Sequence, residues 1–175
     1  MRKVEVVAYN PQWGEMFVAE AEHIASVLGA NVVAIHHIGS TAIPSIHAKP
    51  IIDLLVEVQD IGQVDEYNGA MERLGYQVMG EFGIVTRRYF RKENSEGVRT
   101  HHVHIFPAGS EQVQRHLMFR DYLINHPKDA QFYSKLKQDL AQQYPTDIEK
   151  YMDGKDGLIK ILEQKAKDWF QEEQL

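Results

Sequence analysis

Residues 34–58 read AIHHIGSTAIPSIHAKPIIDLLVEV, and this stretch decides the fold. A short apolar run ends in a Gly-Ser-Thr turn, a loop follows, and a second apolar run occupies residues 51–58. One alternating set of the second run is wholly apolar: Ile52, Leu54, Val56 and Val58. This period-two pattern predicts a strand with one buried face. A carboxylate in such a strand is costly unless another group pairs with it, so Asp53 needs a chemical explanation.

Composition limits the classes of protein that the chain can belong to. With 175 residues and 43% hydrophobic content, we expect a single domain over residues 1–175. The net charge of −6 argues against a nucleic-acid partner that is bound by bulk charge. The lack of cysteine excludes disulfides and thiolate metal sites and favours a cytoplasmic location. No apolar run approaches ~18 residues, so we expect no membrane partner, and the sequence does not indicate a protein partner.

Helical and extended patterns alternate in the first half of the chain. Asn10 and Pro11 are typical of a helix start, and Gly29 is typical of a helix end. Short strands are predicted around Val4 and over residues 76–79, with a second helix over residues 60–74. From Pro107 onward the pattern is helical, with the last helix capped by Asp156. The chain is therefore predicted to be α+β, with a small mixed sheet, flanking helices and a helical C-terminal half.

A hairpin is predicted around the turn Asn94-Ser95-Glu96-Gly97, with arms over residues 86–92 and 99–106. If Glu93 pairs with Val98, Arg91 lies opposite Thr100, Tyr89 opposite His102, and Arg87 opposite His104. One face, expected to be buried, carries Phe90, His101, Val103 and Ile105. The other face gathers Arg87, Arg91, Thr100, His102 and His104.

The turn Gly39-Ser40-Thr41 suggests a phosphate site, because glycine lets a phosphate approach free backbone N–H groups and a hydroxyl. Asp53 follows on the next strand, where it can hold a divalent ion that bridges protein and phosphate. The alternative is that the turn is an ordinary one and that Asp53 is a buried hydrogen-bond acceptor.

Segments over nearly the whole chain carry a resemblance to a known family: HIGSTAIPSIHAKPIIDLLV at 37–56, YNPQW at 9–13, RRYFRK at 87–92, RTHHVH at 99–104, FRDYL at 119–123 with His126-Pro127, and Tyr133 with Lys137. They resemble the GrpB-like (UPF0157) family, and that family resembles the nucleotidyltransferase superfamily. The resemblance implies a nucleotidyltransferase-like fold, in which two acidic residues one position apart hold Mg²⁺ or Mn²⁺. It also implies a nucleotide or other phosphate-containing small molecule as ligand, with Asp53 as the catalytic residue.

The chain departs from the superfamily pattern at the second acid, whose position is taken by Leu55. Glu57 lies on the same strand face as Asp53, but their backbones are about 13 Å apart, too far to share one ion. Nucleotidyl transfer by a two-metal site is therefore in question.

His102 and His104 project from one strand face and offer a replacement. With Asp53 they form a set of two imidazoles and one carboxylate, which suits Zn²⁺, Mn²⁺ or Fe²⁺ better than Mg²⁺. Alternatively the two histidines contact phosphate oxygens without a metal, or are merely polar residues on a solvated strand.

Lys49, Arg87 and Arg91 are candidate clamps for a polyphosphate, together with Gly39, Ser40 and Thr41. For the arginines the alternative is a charged, solvated hairpin edge. Three hypotheses follow: a metal-dependent enzyme or enzyme-derived domain of the nucleotidyltransferase type, a non-catalytic ligand- or partner-binding module, and a metal-dependent phosphoesterase.

Overall fold

The computed structural model describes residues 3–173. Within them the chain forms two compact units. The sheet unit comprises residues 12–38 and 51–114, and the helical unit comprises residues 3–11, 39–50 and 115–173. The α+β class, the small mixed sheet with flanking helices and the helical C-terminal half are confirmed. A single domain over 1–175 stays a prediction.

The sheet unit contains one five-stranded sheet in the order β1-β2-β5-β4-β3. Its strands are β1 (Val32–Ile38), β2 (Ile52–Val58), β3 (Tyr76–Val78), β4 (Arg88–Glu93) and β5 (Arg99–Pro107). Strands β2 and β5 pair in parallel, and the other neighbours are antiparallel. The two central strands are therefore distant in sequence and adjacent in space.

Three helices belong to the sheet unit: α1 (Gln12–Leu28), α2 (Ile61–Val64) and α3 (Asn68–Arg73). Gly29 ends α1 with a φ of +59°, as the sequence predicts. The single helix predicted over 60–74 is wrong, because a 3₁₀ turn over Asp65–Tyr67 separates α2 from α3. Gly62, Asn68 and Gly69 are weak helix formers, and they weaken this segment as a continuous helix.

The apolar face of β2 is buried as predicted, and its side chains at 52, 54, 56 and 58 are fully shielded from solvent. Phe90, Val103 and Ile105 continue this face on the neighbouring strands and are also buried. Helix α1 packs on β1 and β2, and α3 packs beside β3. This layer of helix on sheet packs one face of the sheet, and Asp53, His102 and His104 lie on the opposite face.

The predicted register of the hairpin is wrong by two residues. Arg91 lies opposite His102 and Tyr89 opposite His104, with an irregularity between Lys92 and Glu93. Asn94 explains the difference, because its backbone N–H bonds the Val98 carbonyl and its side chain accepts from two further N–H groups. A shift of two preserves which face each side chain occupies, so the predicted faces hold. The register also leaves Arg87 just before β4.

The C-terminal half contains α4 (Glu111–Asn125), α5 (Pro127–Gln143) and α6 (Ile148–Glu173). The prediction that Asp156 caps the last helix is wrong: Asp147 accepts from the Lys150 N–H at 3.1 Å, and Asp156 pairs with Lys160 inside the helix. Two apolar clusters hold the helical unit together, one around Tyr122, Tyr133 and Leu162 and another around Val4, Leu140 and Tyr151.

The opening strand predicted around Val4 is reduced to one bridge, between Val7 and Ala48. Val4 is nevertheless tied to the helical unit, because its N–H donates to the Pro145 carbonyl at 2.9 Å. Among the described residues, no helix has both the length and the apolar character needed to cross a bilayer.

Gly154 lies inside α6 against Leu140, and a Cβ added there would lie 2.5 Å from the Leu140 Cδ2 atom. We expect Gly154→Ala to lower the free energy of unfolding by roughly 1–2 kcal/mol, because overpacking outweighs the gain in helix propensity. The matched control is Gly157→Ala in the same helix, where a Cβ meets nothing within 4 Å. That variant should gain about 0.5–1 kcal/mol in urea unfolding. Equal stabilities would contradict this packing.

Candidate metal centre

The parallel pairing of β2 with β5 brings three predicted ligands together. Asp53 lies opposite His102 in the register, and His104 follows two residues later on the same face of β5. The Asp53 Oδ1 atom lies 3.2 Å from His102 Nδ1 and 3.3 Å from His104 Nε2. One ligand atom from each residue lies within 4.8 Å of the others. The three side chains are 15–25% exposed, so the cluster lies at a surface that solvent reaches.

Asp53 is held as a carboxylate by its two imidazole partners. Burial alone would raise the pKa of Asp53, but the hydrogen bonds and charges of His102 and His104 lower it further than burial raises it. The net result is a pKa well below the usual range of an aspartate. The group is therefore an anionic ligand at every pH at which the protein is expected to work.

The two distances from the carboxylate to the imidazoles fit a small divalent ion. In a tetrahedral Zn²⁺ site with bonds near 2.05 Å, neighbouring ligand atoms are separated by about 3.3 Å. Both imidazole-to-carboxylate distances in this cluster agree with that separation. Two imidazoles and one carboxylate also leave open positions for solvent or a ligand.

Aromatic side chains frame the two histidines. The Tyr89 ring is stacked on His104 at 5.3 Å and meets His102 edge-on at 5.7 Å. The Phe82 ring stacks on the Tyr89 ring, with 5.4 Å between the two ring centroids. Sequence reasoning placed Tyr89 near His102 but assigned neither aromatic residue to the site. The Tyr89 ring therefore packs against both imidazoles, each of which has a nitrogen within 3.3 Å of Asp53 Oδ1.

Arg87 lies beside His104, with 3.4 Å between its Nη1 atom and His104 Nδ1. It is 8% exposed, and its other donors bond the backbone carbonyls of Glu81 and Phe82. The loop that it anchors contains two non-glycine residues with positive φ, Phe82 at 46° and Thr86 at 69°. Arg87 therefore fixes the loop over the site, and its predicted role in binding phosphate stays a prediction.

Arg91 lies opposite His102 in the register of β4 with β5. Its Nε donates to Gln77 Oε1 at 2.9 Å, and its guanidinium lies 5.7 Å from the Phe82 ring. The hydrogen bond ties Arg91 to β3, and the ring contact ties it to the loop that carries Phe82. Its predicted contact with phosphate also stays a prediction.

Neither Leu55, at the position of the second superfamily acid, nor Glu57 offers an uncommitted metal ligand. Leu55 is fully buried, and both oxygens of Glu57 have other partners, His36 Nε2 at 2.7 Å and the Gly109 N–H at 3.0 Å. Burial raises the pKa of Glu57, but the hydrogen bond from His36 lowers it to a net value below normal. His37 stacks on Phe17 at 4.9 Å, so neither adjacent histidine joins the cluster.

The predicted phosphate turn belongs to the helical unit. Gly39 has a φ of +75°, a conformation that favours glycine, and Ser40–Ala42 form a 3₁₀ turn behind it. The N–H groups of Ala42 and Ile43 are bonded within this turn, and Thr41 is buried. The Lys49 Nζ atom lies 4.8 Å from the Tyr151 ring centroid in the same unit. The roles of Gly39, Ser40, Thr41 and Lys49 as phosphate ligands stay predictions.

We expect Asp53→Asn to lower the free energy of unfolding by about 1–3 kcal/mol at pH 7 in chelator, because two hydrogen bonds to a charged acceptor are weakened. The pKa of Asp53 is lower in the folded protein than in the unfolded chain, so its carboxylate stabilises the fold fully above the unfolded pKa of ~3.9. This stabilisation is lost as the pH falls from there through the folded-state pKa. Urea unfolding at pH 7, 5 and 3 should show the variant approaching wild type only at the lowest pH. A gap that closes between pH 7 and 5 would contradict the pairing.

Comparison with known proteins places the chain among bacterial relatives. The family described as "GrpB protein" matches residues 3–165. The UPF0157 protein YqkA of Bacillus subtilis is 49% identical over 168 residues, 96% of this chain but 48% of the relative. A UPF0157 protein of Pseudomonas aeruginosa is 42% identical, over 90% of this chain and 65% of its own length. The chain thus spans about half to two thirds of these two relatives.

A solved structure shares the whole fold. The crystal structure of the conserved protein GrpB from Enterococcus faecalis is 45% identical in sequence and superposes with a TM-score of 0.90, covering 95% of this chain and 99% of that one. Sequence and fold agree, and on both grounds the chain belongs to the GrpB family.

Proposed function

We propose that this protein binds a divalent metal ion at Asp53, His102 and His104, and with it the phosphate group of a nucleotide or another phosphate ester. The observation that carries the proposal is the convergence of three ligand atoms from two strands within 4.8 Å. An Asp-His pair is common, but two imidazoles that share one carboxylate oxygen form a donor set suited to a metal.

The donor set supports Zn²⁺, Mn²⁺ or Fe²⁺ rather than Mg²⁺, which prefers six oxygen ligands. When bound, the ion would act as a Lewis acid that draws electron density from a phosphoryl oxygen. Asp53 and the two imidazoles would hold it, while Tyr89 shields one side of the site from water. The guanidinium of Arg87, beside His104, would add positive charge where phosphate oxygens lie.

Nucleotidyl transfer is the reaction class that the family resemblance implies, but the engagement of Glu57 and the burial of Leu55 favour chemistry with one ion. Hydrolysis of a phosphate ester needs only one ion and an attacking water, so a phosphoesterase is the second candidate. A module that binds its ligand without reaction is the third candidate. Position 55 carries leucine, so the second acid that two-metal transfer requires is missing there.

Metal titration tests the site directly. Zn²⁺ and Mn²⁺ should raise the melting temperature of chelator-treated wild type by several degrees, because binding to the folded state alone stabilises it. Asp53→Asn, His102→Gln and His104→Gln should each lose this response. The matched control is His23→Gln, which removes an exposed imidazole from α1 and should respond as wild type. The proposal would be contradicted if the metals raised the melting temperature of all variants equally, or did not raise that of wild type.

Ligand binding and reaction are tested on the metal-loaded protein. We expect a nucleoside triphosphate to raise the melting temperature only when Zn²⁺ or Mn²⁺ is present, because the ion neutralises phosphate charge in the site. Product analysis then separates the reactions: transfer releases pyrophosphate and modifies an acceptor, whereas hydrolysis yields free phosphate. Stabilisation by nucleotide that is the same in chelator would favour the non-catalytic module over both enzymes.

A further inference from the structure

The helical unit contains a buried lysine that the proposed metal site does not use. Lys137 lies in α5, is 2% exposed, and its Nζ has no hydrogen-bond partner among the described residues. The nearest compensation is the ring of Tyr133, 4.6 Å from the Nζ atom. A buried amine without a bonded acceptor is costly for the fold, so its position calls for a ligand or a function.

A second orphan group lies in the same unit. The Tyr151 side chain is fully buried, and its hydroxyl also has no hydrogen-bond partner among residues 3–173. Burial raises the pKa of Tyr151, and the neighbouring Tyr133 raises it further. The hydroxyl therefore stays protonated and able to donate a hydrogen bond.

Two further lysines surround this pair. The Nζ atoms of Lys49 and Lys155 lie 4.8 Å and 5.1 Å from the Tyr151 ring centroid. Burial, and after it the positive charges of Lys155 and Lys49, together lower the pKa of Lys137 to about 7. No carboxylate contributes to this shift. A buried lysine is ordinarily paired with an acid, so a cluster of cations around it is unusual for a purely structural residue.

We propose that Lys49, Lys137, Lys155 and the Tyr151 hydroxyl form a binding site for a phosphate-type oxyanion in the helical unit. Two buried donors without acceptors would gain their missing hydrogen bonds from the oxygens of such a ligand. Three lysines in one neighbourhood match a multiply charged phosphate better than a single carboxylate. The proposal does not depend on the metal site, because every residue that carries it lies in the helical unit.

Inorganic phosphate in the presence of EDTA is the probe, so that the metal centre is empty and cannot contribute. With ionic strength held constant by NaCl, phosphate should raise the melting temperature of the full chain. Titration calorimetry should show saturable binding and give its affinity. Lys137→Met should weaken that affinity by at least about tenfold, since a charge-assisted bond is lost. It should also melt higher than wild type without phosphate, because the buried amine is replaced by an apolar chain of similar length.

The matched control is Lys135→Met, which removes the same charge from the same helix at a side chain that is 79% exposed. It should bind phosphate as wild type does. Tyr151→Phe removes only the orphan hydroxyl and should weaken binding several-fold while the fold is retained. Absence of phosphate stabilisation in wild type, or equal losses in Lys137→Met and Lys135→Met, would overturn the proposal. A negative result in the metal titration would leave this outcome unaffected.

Discussion

The parallel contact between β2 and β5 is the constraint on which the sheet unit depends. It joins residues about fifty positions apart, and it is the one parallel pairing in the described sheet. One face of β2 is apolar and packs against α1, which fixes which residues must point the other way. Asp53, His102 and His104 lie on that other face because the period of a strand is two. The candidate metal centre is thus a consequence of how the core is packed.

The sheet face that α1 covers also carries a polar network. Glu20 of α1 is 7% exposed and accepts hydrogen bonds from the Tyr76 hydroxyl at 2.6 Å and the Lys92 ammonium at 2.7 Å. Burial raises the pKa of Glu20, and the partners lower it to a net value below normal. The carboxylate links the helix to β3 and β4 and is satisfied within the protein. It therefore needs no ligand, whereas the Lys137 amine and the Tyr151 hydroxyl have no hydrogen-bond partner among the described residues.

Much of this arrangement could be predicted from local patterns. Alternation over 52–58 and around Phe90 set the buried faces, and glycine ended α1 where expected. His102 and His104 were identified because they share one strand face with polar residues, and Asp53 because it is a carboxylate in a strand with an apolar face. The hairpin register failed because a side chain, Asn94, set the loop length. The Glu20 network and the burial of Lys137 were missed because both depend on tertiary packing, which no single-segment pattern records.

The two candidate sites differ in how their polar groups are satisfied. In the sheet unit, Asp53 already accepts from both histidines, so a metal must replace N–H protons and compete with existing hydrogen bonds. In the helical unit, the Lys137 amine and the Tyr151 hydroxyl have no bonds to lose, and an oxyanion only adds them. Metal affinity is therefore the net result of the bonds gained to the ion and the hydrogen bonds lost from Asp53. Oxyanion affinity is instead set by how much the buried charge gains from a partner.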